Sequence, residues 1–138
     1  HHRTGKTKEV IGKLQAWFEK YNDLEFHLMT GNHDRHSGPL DELPWIKVRD
    51  ELVVRERFLL RHYPEKEAGY YVISGHLHPS VKLKGHGRER LRLACSVFGK
   101  NLAILQAFGS FTGNSTIEPK EGDTIFIAHN GDVYPAKF

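Results

Sequence analysis

Residues 70–79, Tyr-Tyr-Val-Ile-Ser-Gly-His-Leu-His-Pro, decide how this chain is read. The first half is aromatic and β-branched, as a buried strand requires. The second half sets two imidazoles, His76 and His78, between Gly75 and Pro79. In an extended segment, residues two apart project to the same side, so the pair can serve one metal or two adjacent metals. Gly75 lets the chain turn sharply and Pro79 stiffens the exit.

The same design recurs upstream. The apolar run 24–30 (LEFHLMT) leads straight into Gly31-Asn32-His33-Asp34, and the run 57–61 (RFLLR) delivers His62 ahead of Tyr63-Pro64. Three strands thus end in loops whose residues bind metals or move protons. In open α/β sheets, sites collect beyond the carboxyl ends of strands, so one sheet can bring the loops together. Neutral imidazole and an amide oxygen, with no thiolate, suit divalent manganese, iron, zinc or nickel. Asp34 beside His33 can fix that imidazole's tautomer and raise its basicity, which makes His33 a candidate general acid. Arg35, in the same loop, is a candidate phosphate contact, because a guanidinium matches phosphate oxygens.

The remaining chain supplies the frame. Residues 7–21 carry Val10, Ile11, Leu14, Trp17, Phe18 and Tyr21 at helical spacing, with Thr4 or Thr7 as the cap. Short strands are predicted at 45–48 and 52–54. Beyond Pro79, extended runs at 81–84, 91–97, 102–108 and 124–129 alternate with glycine-rich turns, and Asn130-Gly131 signals a hairpin. The expectation is a mixed α/β domain occupying 1–138.

Composition narrows the class. Hydrophobic residues make up 38% and charged residues 27%, the balance of an ordinary globular protein. No apolar run reaches the length of a membrane span, and the first residues lack the apolar core of a signal peptide. The single cysteine, Cys95, excludes an internal disulfide framework and a Cys-rich zinc site, and it suits a reducing cytoplasm. Net charge is +3, and several of the ten histidines stand in polar settings next to Gly, Asp or Asn, which favours metal or proton chemistry over packing. Some of these residues have plainer roles. His27 lies inside an apolar strand and reads as packed, while His86 and His129 sit beside turns. Lys82, Lys84, Arg88, Arg90 and Arg92 alternate along strands and read as a solvated sheet face before they read as a nucleic-acid surface.

Gly31-Asn32-His33-Asp34, then His62, then Gly75-His76-Leu77-His78 resembles the last three motifs of the calcineurin-like metallophosphoesterase superfamily. The segments GNHDR (31–35), GHLHP (75–79), RLRLACSVFG (90–99) and AFGSFTGN (107–114) are similar to the bacterial ligase-associated DNA-damage-response metallophosphoesterases. The resemblance implies two stacked mixed β-sheets flanked by helices. It implies two divalent ions, manganese ahead of iron, zinc or nickel. Asn32, His62 and His76 would ligate one ion and His78 the other. His33 would act at the leaving-group oxygen, steadied by Asp34. The implied substrate is a phosphodiester, DNA or RNA among them, and the implied associates are DNA-repair helicase and ligase proteins. Two earlier motifs of the superfamily, Asp-x-His and Gly-Asp, do not stand ahead of Gly31-Asn32-His33-Asp34 in these residues. The expectation is that an N-terminal piece is missing and that residues 1–138 alone are nearly inactive. Two other classes compete: a non-catalytic scaffold on the same fold, and a DNA-binding module built on the basic strands.

Overall fold

A computed structural model describes residues 7–34, 41–84, 90–109 and 112–136. They form two compact units, His1–Asp50 and Glu51–Phe138.

In the first unit, helix α1 (Lys8–Lys20) is followed by β1 (Phe26–Met29) and β2 (Ile46–Arg49), which pair in parallel. Thr7 caps the helix, its hydroxyl accepting the Val10 amide hydrogen at 3.3 Å. Glu9 in the first turn and Lys20 in the last complement the helix dipole. Phe18 is the buried residue of the helix and meets the Phe26 ring edge-on at 4.4 Å, which fixes α1 to β1. The predicted apolar face is only partly used: Val10, Leu14 and Trp17 remain 36–49% exposed.

The second unit is a nine-stranded mixed sheet. Its strands are β3 (Glu51–Val54), β4 (Phe58–Arg61), β5 (Tyr71–Ser74), β6 (Pro79–Lys84), β7 (Arg90–Phe98), β8 (Leu102–Ile104), β9 (Ser115–Thr116), β10 (Thr124–His129) and β11 (Asp132–Ala136). The main path runs β11-β10-β7-β8-β5-β4-β3, with β6 joining β7 and β9. Strand β7 serves three ladders, its Val97 and Phe98 also pairing with Ile104 and Ala103 of β8. Its residues 90–94 pair with β6, and its residues 95–98 pair with β10. Val81, Cys95, Val97, Ile125 and Ile127 form the core where these strands meet.

The mixed sheets match the sequence reading, but strands dominate. Among the described residues α1 is the one helix, where flanking helices were expected. The run 102–108 yields a strand only to Ile104. Leu105 still donates to the Ser74 carbonyl, but the Gln106 amide goes to the Ser96 hydroxyl at 3.1 Å, and the ladder stops there. Asn130 and Gly131 both have positive φ and turn β10 into β11, as their sequence signals. No helix among the described residues is long and apolar enough to cross a membrane.

Cys95 lies at the centre of this core with no exposed surface, and burial pushes its thiol up to about 11. The raised value means that the unfolded chain releases the proton first. The thiol's contribution to stability is therefore whole below about pH 9 and is lost as the pH climbs towards 11. Only the thiolate reacts, so a disulfide reagent at pH 8 should leave Cys95 untouched in native buffer and modify it fully in urea. Rapid labelling in native buffer would show that this core opens freely.

Candidate metal centre

Strands β4 and β5 are parallel neighbours, in register from Phe58 opposite Tyr71 to Leu60 opposite Ile73. Parallel neighbours end side by side, so the residues just past them meet. The Gly75 amide donates to the His62 carbonyl at 3.2 Å, and His62 Nε2 lies 3.0 Å from His76 Nδ1. Two nitrogens bound at about 2.1 Å to one ion, at a right angle, sit about 3.0 Å apart, so the pair fits adjacent positions on a shared metal. The same contact is a hydrogen bond when one ring carries the proton.

The Tyr63 ring braces the approach, standing edgewise to His62 and His76, with centroids at 5.0 and 4.8 Å. Arg61, one residue before His62, pairs with Glu51 at 2.8 Å, Glu67 at 3.5 Å and Glu65 at 3.9 Å. Sequence reading passed over both residues. Their adjacency to His62 was the available signal.

Gly75 was expected to make the sharp turn, and His76 and His78 to lie along an extended segment. The structure corrects both points. His76 has φ 67° and His78 φ 47°, while Gly75 is not among the positive-φ glycines. The Leu77 amide donates to the Gly75 carbonyl at 2.9 Å, closing a three-residue turn centred on His76. The two imidazoles therefore take separate partners. His76 faces His62, and His78 Nδ1 lies 3.1 Å from the Gly113 carbonyl. A carbonyl only accepts, so Nδ1 carries the hydrogen and Nε2 is left as the donor towards a metal. The Ser115 amide also donates to the His78 carbonyl at 3.0 Å, so Gly113 and Ser115 together clamp His78.

Asn32, His33 and Asp34 belong to the first unit. They follow β1 in a turn closed twice: the Asp34 amide donates to the Gly31 carbonyl at 3.1 Å, and the Gly31 amide donates to Asp34 Oδ2 at 2.8 Å. The Asp34 carboxylate thus shapes its own loop. Asn32 and His33 are exposed and Asp34 is half-buried. Arg35 and His36 lie outside the described residues, as do His86 and Arg88. His27 is half-buried, and its ring nitrogens meet polar partners: Arg49 Nε donates to Nδ1 at 3.2 Å, and Nε2 meets Glu25 at 3.3 Å. Hydrogen bonds from Lys47 first, and from His27 second, hold the Glu25 carboxyl below the usual carboxylate range.

Among the described residues no three His, Cys, Asp or Glu side chains converge as a metal site, so His62 and His76 are the pair brought together. A cavity of about 280 Å³ in the first unit, lined by Phe18, Phe26, Trp45 and Leu24 with Gln15, Glu19 and Asn22, contains no imidazole.

With the geometry in place, one similarity stands out among solved structures. The crystal structure of the Pseudomonas putida nuclease MPE matches with a TM-score of 0.81 at 36% sequence identity. The match covers 99% of this chain and 65% of that one. No family model and no curated protein matches. The chain has the fold of that part of the nuclease.

Proposed function

We propose, from the fold shared with that nuclease, that this protein is a metal-dependent phosphodiesterase of the calcineurin-like type that acts on nucleic acid. The observation that carries the reading is the meeting of His62 Nε2 and His76 Nδ1, 3.0 Å apart, beyond two adjacent parallel strands. A surface histidine pair has no need of such bracing, whereas a ligand pair does.

In this reading His62 and His76 would hold one divalent ion, and His78 would present Nε2 to a second. Manganese ranks ahead of iron, zinc or nickel. Bound ions of this kind supply an activated water and charge neutralisation on the phosphate oxygens. The chain's own work is positional. Tyr63 packs edgewise on the His62 ring, and the Gly113 carbonyl fixes the His78 tautomer. His33 gives a proton to the leaving-group oxygen. Asp34 steadies the loop that carries His33.

Hydrolysis of bis-p-nitrophenyl phosphate by the whole protein tests the reading. Turnover should require manganese and should fall about 10²- to 10⁴-fold in His33→Ala, the range for loss of a general acid. No turnover with any divalent metal would overturn the assignment.

A further inference from the structure

The β6–β7 hairpin sets like charges against each other. Its register places Lys82 opposite Arg92 and Lys84 opposite Arg90. Directly opposed like charges destabilise an antiparallel pair, and a merely solvated face would interleave acids. Among the described residues no carboxylate pairs with Lys82, Arg90 or Arg92. The opposite face explains the register: Val81 is buried in the core, and Leu83 and Leu93 pack against it. Core burial on one face therefore puts Lys82, Arg90 and Arg92 on the other.

Two further features give the ridge a direction and a fixed point. Strand β6 begins at Pro79, the residue after His78, so the ridge runs directly out of the candidate metal-binding segment. Lys82 lies about 13 Å along the strand from His78, and Lys84 about 7 Å farther. Arg92 is held in place, its Nε donating to Ser80 Oγ at 2.9 Å and its Nη2 to the Asn114 carbonyl. Lys82 and Arg90 are exposed.

We propose that this hairpin tracks the sugar-phosphate backbone of a nucleic-acid strand flanking the scissile bond. Successive phosphates meet the Lys82–Arg92 level and then Arg90. The phosphates offset the repulsion that the register imposes, and their contacts are independent of base sequence. The inference rests on the phosphodiesterase reading, and it adds how the substrate strand is held.

The test uses the whole protein in EDTA with a fluorescein-labelled single-stranded oligonucleotide, followed by anisotropy across a salt series. Removing two phosphate contacts in Lys82→Gln/Arg90→Gln should shallow the slope of log affinity against log salt by about 1.4, and weaken binding about tenfold at low salt. Manganese-dependent turnover of bis-p-nitrophenyl phosphate, which has no flanking strand, should stay within about twofold of the parent. An unchanged slope would overturn the ridge. So would a parallel loss of small-substrate turnover, which would assign these cations to the fold. Equal competition by polyglutamate would also overturn it, in favour of an acidic protein partner. If the parent itself fails to hydrolyse the small substrate, the phosphodiesterase reading falls, and the salt slope still decides the ridge.

Discussion

His76→Asn is expected to cut manganese-dependent turnover by about a hundredfold or more, because loss of partners behind a metal ligand alone costs about 10- to 100-fold. Asparagine is the informative replacement. His76 sits at φ 67°, and asparagine tolerates the left-handed region far better than alanine does. Alanine would combine loss of the imidazole with backbone strain. His62→Ala is the companion, since His62 is not among the positive-φ residues. Both variants should unfold near the parent's temperature, and both should bind manganese more weakly by titration calorimetry. A pair that only packs would give the opposite pattern, with metal affinity intact and thermal stability reduced. That pattern would remove the metal centre from the β4–β5 strand ends.

Ile125→Ala carries the largest expected cost in stability, about 2–5 kcal/mol for a buried isoleucine. Ile125 is 1% exposed and pairs with Val97 on one side and Ala136 on the other. It stands where β7, β10 and β11 meet, so its removal leaves a cavity that paired backbones cannot close. Against a total of about 5–15 kcal/mol for a typical domain, that loss is a large share. The urea midpoint should fall with the slope unchanged. Phe108→Ala is the control: Phe108 is 108% exposed, and its removal should shift stability by no more than about 0.5 kcal/mol. Equal shifts in the two variants would mean that the core lies elsewhere.

Local chemistry made some of this legible in the sequence. Thr7 announces its helix because a hydroxyl can take an orphan amide, and it does so here. Asn130-Gly131 announces its hairpin because both residues accept positive φ. The apolar runs before His62 and His76 announce strands because buried parallel strands are apolar on both faces. What was hidden depended on partners distant in sequence. Nothing near His78 shows that the Gly113 carbonyl will orient it, 35 residues on. Nothing in the run 102–108 shows that Ser96 will capture the Gln106 amide and end the strand. The opposed cations of β6 and β7 are visible only once the register is known. The turn at His76 was missed for another reason: positive φ is read from glycine, and Gly75 drew the attention that its neighbour merited.

That turn has a further consequence. Non-glycine residues in the left-handed region cost about 1–3 kcal/mol each, and His76 and His78 both sit there. Glycine at either position would relax the backbone and make the folded chain more robust. Histidine at both means that the segment holds its shape only through the ladders and clamps around it. The protein gives up stability where its candidate chemistry is sited, the trade expected when a conformation is kept for what it can bind.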